Sequence, residues 1–340
     1  MRSVTTSDTT RRPPLGVLLT GGMGTRLRPL TPDLPKSLVP LLNRPLVAYG
    51  LETLASMGLR DLVVVVGGVD PRTGPAAIAH APAGTTVAIA VQPVPNGPGD
   101  ALACVGDALD GRDVVVVAVD TILRGGNLPQ QFAAFQASGA AAWLPLAITD
   151  RPKEMGIAVV EGERIVALEE KPEHPRSNLA CVGVWMLAPA AVERVRTNPM
   201  VNKKGESDLT GTIGLMLDEG AHLGGAAFDG RWLDGGSLVG LLGAQSALLA
   251  ELPPVAFTNG TISEADEAAI ERTALNGPVI LGADVRISDC TLGPEVVVGE
   301  GATLHGVRLQ RALVAPGATV EGGEYADVVI TTSGEIASAV

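Results

Sequence analysis

Three runs of nearly unbroken apolar, mostly β-branched residues constrain this chain most: 62–67 (LVVVVG), 86–91 (TVAIAV) and 113–119 (DVVVVAV). A strand with one face in water alternates apolar and polar residues. These runs are apolar on both faces, so both faces need cover. A further run of the same kind, 16–20 (GVLLT), precedes them, and segments of helical periodicity fall at 46–57, 99–109, 128–138, 189–197 and 208–219. Strand–helix alternation of this sort predicts an α/β fold, a Rossmann-like and mostly parallel sheet with helices on both faces. That domain is expected over residues 15–250, ending on a helix near Ala250, with 1–14 as a flexible leader.

At 340 residues the chain exceeds what one core usually organises, and a smaller second domain is expected. The texture changes after Glu251. Leu281 and Ile287 are six apart, as are Leu292, Val298 and Leu304, and Val314 and Val320. Small or β-branched residues follow four later at Val285, Thr291, Val296, Ala302 and Ala318, and glycine follows at 282, 293 and 299. A repeat of six predicts a parallel β-helix, each hexad forming one flat face. Residues 251–340 therefore read as a linker helix and a short left-handed β-helix of two or three coils, interrupted in phase at 287–292 and 304–314.

Charge narrows the function classes. The net charge is −12, which argues against a broad basic face for nucleic acid. Apolar stretches reach only about a dozen residues, too few to span a bilayer. Yet residues 1–44 carry seven Lys/Arg against Asp8 and Asp33, a local +5 that suits a small anionic ligand. Cys104, Cys181 and Cys290 form no CxxC pair, and His80, His174, His222 and His305 are isolated, so neither a disulfide framework nor a zinc site is indicated. A cytoplasmic setting is the default.

The segment 19–40, LTGGMGTRLRPLTPDLPKSLVP, carries the densest chemical signal. A strand delivers the chain into a loop where Gly21, Gly22 and Gly24 let backbone amides approach phosphate oxygens, and Arg26 and Lys36 add positive charge. Pro29, Pro32 and Pro35 deny the helix that a dinucleotide fingerprint opens, and the Gly-Lys-Ser/Thr of a Walker loop is missing.

With its glycines, Thr25–Arg26, Pro29, Thr31, Lys36 and Pro40 in register, this segment resembles the signature of the sugar-1-phosphate nucleotidyltransferases, or nucleotide-sugar pyrophosphorylases. Further segments in family order extend the resemblance over roughly 15–250, with long-form glucose-1-phosphate thymidylyltransferases the most similar branch. The resemblance implies a nucleotide site at Leu19, Gly21, Gly22, Gly24 and Thr25, with Gln92 and Gly97 of QPVPNGPGDA reading the base. It implies Mg²⁺ at Asp120, which ends DVVVVAVD, and at Asp234 of RWLDGGS. Gly156, Glu170, Lys171 and Lys204 are the implied sugar-phosphate residues, and Arg26, Lys36 and Lys171 the catalytic cations. The implied reaction is in-line attack of a sugar-1-phosphate, glucose-1-phosphate-like, on a nucleoside triphosphate, dTTP favoured, releasing pyrophosphate.

Four departures bear on the substrates. Ser37 stands where the thymidylyltransferases usually have Gln, Val119 replaces a Gly, Gly211 replaces an Asp, and Pro98–Gly99 alters the base loop. A guanylyltransferase acting on mannose-1-phosphate or a cyclitol-1-phosphate is one alternative; a non-catalytic nucleotide-sugar-binding paralogue is another. A hexapeptide-repeat acyltransferase is disfavoured by the short repeat and the lack of a catalytic His. A homo-oligomer, dimer or tetramer, is expected, with no nucleic-acid or membrane partner.

Overall fold

The apolar runs become strands of one ten-stranded sheet. In spatial order these are Leu179–Cys181, Gly156–Glu161, Arg164–Glu170, Leu223–Ala227, Ala142–Ile148, Val184–Leu187, Val114–Ala118, Leu15–Leu19, Asp61–Gly67 and Thr86–Gln92. The computed structural model describes residues 12–22, 24–31, 34–253, 261–263 and 269–339. Within it the chain divides into two compact units. The first holds the chain up to Gly21, Gly50–Ala118 and Leu123–Trp232; the second holds Gly22–Tyr49, Val119–Ile122 and everything from Leu233 on.

The ten-stranded sheet belongs to the first unit and is mixed, which corrects the mostly parallel expectation. Parallel pairing joins Leu15–Leu19 to Asp61–Gly67 and to Val114–Ala118, Asp61–Gly67 to Thr86–Gln92, and Leu223–Ala227 to Ala142–Ile148. Elsewhere the strands run antiparallel. The reason is connection length. A parallel neighbour needs a crossover of a dozen or more residues, whereas strands 156–161 and 164–170 are joined by a tight turn at Gly162; strands 179–181 and 184–187 follow each other along Ala142–Ile148, both antiparallel to it.

Helices cover both faces of the central strands, but the edge strand Thr86–Gln92 departs from the expectation and leaves Ile89 and Val91 exposed. Leu15, Val17, Val114, Val116, Leu144 and Trp185 share a core with Leu102, Val192 and Ile213 from the helices Pro98–Ala103, Pro189–Thr197 and Leu209–Asp218. On the other face Gly50 of the helix Leu46–Ser56 lies against Leu18, and Gly16 lies under Leu54. The helix expected at 99–109 is split into Pro98–Ala103 and a 3₁₀ turn, Gly106–Leu109, with Gly106 at φ 68 marking the break. No helix among the described residues is long and apolar enough to cross a membrane.

In the second unit short strands stack in parallel as three columns, consistent with a parallel β-helix. One column is Thr261–Ser263, Val279–Leu281, Val296–Val298, then 312–314 and 328–330; the second is Ile270–Glu271, Arg286–Ser288, Thr303–His305 and Thr319–Glu321; the third is Ala274–Leu275, Thr291–Leu292, then 308–309 and 324–325. Rungs recur every 16 to 18 residues. The apolar positions Leu281, Ile287, Leu292, Val298 and Leu304 are all buried, and the five-residue step from 287 to 292 accounts for the phase break. Among the described residues the first column reaches five rungs, so the coil is longer than the two or three turns expected. Its later turns lack hexad punctuation because Arg308–Val314 and Glu324–Ile330 run on as seven-residue strands, turning at Arg311 and Asp327, both at positive φ.

The helix Leu238–Glu251 is fastened to this coil. Gln245, fully buried, donates through Nε2 to the Glu295 and Ala312 carbonyl oxygens at 3.0 Å each, and Leu249 packs with Ile280 and Val297. Most of the stretch in which the linker helix was expected, 254–260 and 264–268, and residues 1–11 of the expected leader lie outside the described residues.

Candidate active site

In the second unit, the loop after the first strand turns on glycine. Gly22 and Gly24 adopt φ 122 and 56, conformations that side chains rarely tolerate. Thr31 closes the loop by donating from Oγ1 to the Gly24 carbonyl at 2.7 Å, and a Cβ on Gly24 would come within 3.0 Å of Thr31 Cγ2. Thr25–Leu27 then forms a 3₁₀ turn whose Leu27 is buried, while the Arg26 side chain keeps 68% of its surface exposed. A second 3₁₀ turn, Lys36–Leu38, aims Lys36 Nζ at Asp120 Oδ2, 2.5 Å away; Arg26 stands 4.0 Å from the same oxygen.

Two opposed effects act on Asp120. Burial pushes its carboxyl up. The Lys36 ammonium, by charge and hydrogen bond and with help from Arg26, more than offsets this and holds it below the usual carboxylate range. Asp120 is therefore ionised at neutral pH.

Asp234 is tied to the same place through the backbone. Gly235 N donates to the Asp120 carbonyl at 2.8 Å. Asp234 Oδ1 accepts from Gly236 N at 2.8 Å and Oδ2 from Ser237 Oγ at 3.1 Å. Gly236 is the point around which the charges gather: a Cβ there would lie 2.7 Å from Asp120 Oδ2 and 3.0 Å from both Arg26 Nη2 and Asp234 Oδ1. Among the described residues no group of three or more His, Cys, Asp or Glu could hold a metal. Two carboxylates are nevertheless a fitting donor set for Mg²⁺, which prefers hard oxygen ligands and fills its remaining positions with phosphate oxygens and water.

The first unit holds the groups expected to read base and sugar. Gln92 ends the edge strand Thr86–Gln92 and is only 3% exposed. Its Nε2 donates to the Gly97 carbonyl at 3.1 Å and to Asp100 Oδ2 at 2.7 Å. A Cβ on Gly21 would approach Gln92 Oε1 to 3.0 Å, and one on Gly97, at φ 92, would strike the Ser207 carbonyl oxygen. The Leu19 side chain packs into the sheet core, so only its backbone is available to a nucleotide.

Gly156 and Glu170 are direct partners across an antiparallel hairpin, and a Cβ on Gly156 would lie 3.0 Å from Glu170 Oε2. Lys171 follows in a left-handed conformation, φ 46, its N–H donating to the Met155 carbonyl at 3.1 Å and its Nζ 3.3 Å from Glu170 Oε1. Lys204 is different. It lies exposed in the turn between strands Met200–Val201 and Ser207–Asp208, whose Ser207 N–H donates to the Asn96 carbonyl of the base loop at 2.8 Å. The hairpin carrying Lys204 is thus anchored to the base loop, and no ion pair among the described residues joins it to Glu170.

A profile of the family described as Nucleotidyl transferase matches residues 15–251. The chain belongs to that family. It is 31% identical to a glucose-1-phosphate thymidylyltransferase of Streptomyces antibioticus over 319 residues, covering 90% of this chain and 88% of that one. A low-salt glycan biosynthesis nucleotidyltransferase, Agl11, of Haloferax volcanii is 30% identical over 95% of this chain and 94% of its own. A solved UDP-glucose pyrophosphorylase of Acinetobacter baumannii superposes with a TM-score of 0.61 at 22% identity, over 72% of this chain and 95% of that chain, and shares the fold. The protein is a sugar-1-phosphate nucleotidyltransferase.

Several residues that contact the expected site positions escaped sequence reasoning. Asp100 holds Gln92 from eight positions away, and Gly236 leaves the room between Arg26, Asp120 and Asp234. Thr210 has its Cγ2 3.9 Å from the place a Gly156 side chain would fill, while Trp185 Nε1 donates to Thr210 Oγ1 at 3.1 Å. The glycine pair 235–236 was a usable signal for the second. Asp100 had none, because a first-turn acid in a helix is ordinary.

Proposed function

We propose that this nucleotidyltransferase joins dTTP to glucose-1-phosphate or a closely similar sugar-1-phosphate, releasing pyrophosphate. The glucose-1-phosphate thymidylyltransferases of Streptomyces antibioticus and Streptomyces griseus, 31% and 28% identical over 90% of the chain, support that pair of substrates. The observation that carries the chemistry is the gathering of Arg26, Asp120 and Asp234 around Gly236, with Lys36 on Asp120.

The nucleophile is an oxygen of the sugar phosphate, already ionised at neutral pH, so no general base is needed. It forms a bond to the α-phosphorus as the bond from that phosphorus to the bridging oxygen breaks, and the electron pair departs with pyrophosphate. What the protein must supply is orientation and neutralisation of crowded negative charge. Backbone amides of the glycine loop and Thr25 hold the triphosphate. Arg26 and Lys36 face its phosphates, Lys36 also keeping the Asp120 carboxylate ionised. Gln92 and the loop at Gly97 hold the base. Glu170 accepts from sugar hydroxyls over the open space at Gly156, and Lys171, with Lys204, balances the sugar phosphate. Mg²⁺, when held by Asp120 and Asp234, supplies further charge neutralisation between phosphate oxygens.

The test is pyrophosphate release across dTTP, UTP, GTP and CTP, each against glucose-1-phosphate, mannose-1-phosphate and a cyclitol phosphate. Fastest turnover with dTTP and glucose-1-phosphate is expected. A clear preference for GTP with mannose- or cyclitol-1-phosphate would replace this substrate pair. Tight nucleotide-sugar binding with no turnover would point to a regulatory protein.

A further inference from the structure

We infer that Asp100 is a positioning residue that turns the Gln92 amide into an obligate acceptor, so that the contact it makes with a base is to a base N–H. The inference rests on the reading above only in taking Gln92 to face the base.

An amide end is identified by its partners. One end of the Gln92 carboxamide lies 3.1 Å from the Gly97 carbonyl oxygen and 2.7 Å from Asp100 Oδ2. A peptide carbonyl and a carboxylate can only accept, so that end must be the NH₂, and its two hydrogens are both used. The other end is Oε1, and it is directed at Gly21, where a Cβ would approach it to 3.0 Å. No described residue donates to Oε1. Gln92 is 3% exposed, so its amide has little freedom to turn, and turning would set Oε1 against two acceptors at once.

The consequence is chemical. A Gln free to rotate could donate to a base carbonyl or accept from a base N–H. Held this way, it accepts only. On the pairing edge of thymine and uracil there is one N–H, at N3, flanked by carbonyls at positions 2 and 4. Gln92 therefore contacts N3–H, and O4 takes no hydrogen bond from it. Asp100 lies in the first turn of the helix Pro98–Ala103, within the base loop that Pro98–Gly99 alters, so this arrangement belongs to the altered loop.

The experiment uses dTTP, 4-thio-dTTP and N3-methyl-dTTP with the wild-type protein, Asp100→Ala and Asp100→Asn, reading pyrophosphate release and, separately, direct nucleotide binding. In the wild type, 4-thio-dTTP is expected within about threefold of dTTP in kcat/KM, because O4 is not read. N3-methyl-dTTP is expected to lose about a hundredfold or more, as a site built to pair an N–H rejects its absence. Asp100→Ala should raise KM for dTTP about tenfold with KM for the sugar phosphate unmoved, and should make the protein sensitive to 4-thio substitution. Asp100→Asn should restore wild-type behaviour, since the Asn oxygen still accepts from Gln92. A tenfold loss with 4-thio-dTTP in the wild type would overturn the inference, as would an Asp100→Ala protein with unchanged KM for dTTP, or one that Asn fails to rescue. If no pyrophosphate is released but binding keeps the expected ranking, the transferase reading falls and this one stands. Binding without that ranking, or no binding, overturns it.

Discussion

The two units hold the residues proposed for ligand chemistry by different means. In the second, Arg26, Asp120 and Asp234 gather around Gly236 with Lys36 on Asp120, and both cations ride on 3₁₀ turns in a stretch rich in proline. In the first, Gln92 and Glu170 stand at strand ends, each beside a glycine at which a Cβ would crowd it, and one of the two is a neutral amide. Charge acts over several ångströms, so 3₁₀ turns position it well enough. A hydrogen bond weakens steeply when bent or stretched, and the groups that depend on it are set on the sheet.

The sharpest way to break this contrast is to remove a charge. Arg26→Ala should lower kcat by about three powers of ten, with the melting temperature nearly unchanged because the side chain is largely exposed. Circular dichroism and a pyrophosphate assay on the same sample check both halves. Turnover within tenfold of wild type would mean that Arg26 has no part in the chemistry.

Paired glycine substitutions sharpen the contrast without deleting any functional group. Gly236→Ala places a methyl 2.7 Å from Asp120 Oδ2 and 3.0 Å from Arg26 and Asp234, and should cost about a hundredfold in kcat. Gly156→Ala places one 3.0 Å from Glu170 Oε2, where the side chain can give way, and should instead raise KM for the sugar phosphate about tenfold. If both variants changed the same kinetic constant by the same factor, the division of labour would be wrong.

A smaller effect should appear in acid. Because the folded-state pKa of Asp120 lies below its unfolded value, the Lys36–Asp120 pair stabilises the fold fully above the ordinary carboxylate pKa of about 3.9, and that stability is lost only as pH falls through the depressed value. In Lys36→Met burial opposes a weaker counter-charge, the carboxyl pKa rises, and the stabilisation should fail at higher pH. The midpoint of acid unfolding should therefore move up. An unmoved midpoint would show that Arg26 alone keeps Asp120 ionised.

What could be read from the sequence followed how local its cause was. The glycine loop, its two cations and the parallel strands before residue 120 were legible because steric need and periodicity act within a few residues. The run from 156 to 187 was not. Its strands carry the right residues, but their direction depends on turns too short for a crossover, and the sheet became mixed. Gly156 and Glu170, placed in one motif, are direct strand partners, and Lys204 lies on a separate hairpin whose Ser207 bonds to Asn96. Asp100 was invisible because its role depends on the fold bringing it back to Gln92. In the coil the hexads marked the columns, but non-glycine corners such as Arg311 and Asp327 hid the later turns.

Those columns offer the smallest expected effect on turnover and the largest on stability. Leu304 is fully buried among Ile287, Val298 and Val320, and Leu304→Ala should cost about 2–5 kcal/mol by the cavity it leaves. The coil supports the helix Leu238–Glu251 through the two Gln245 hydrogen bonds, and Ser237, which caps that helix by accepting from Gly240 N at 3.1 Å, also donates to Asp234. A loosened coil reaches the carboxylate through this helix. Well below the melting temperature, kcat and both KM values should therefore stay within about twofold of wild type while the unfolding midpoint falls. A kcat that dropped in step with stability would mean that the coil positions Asp234 even in the folded state.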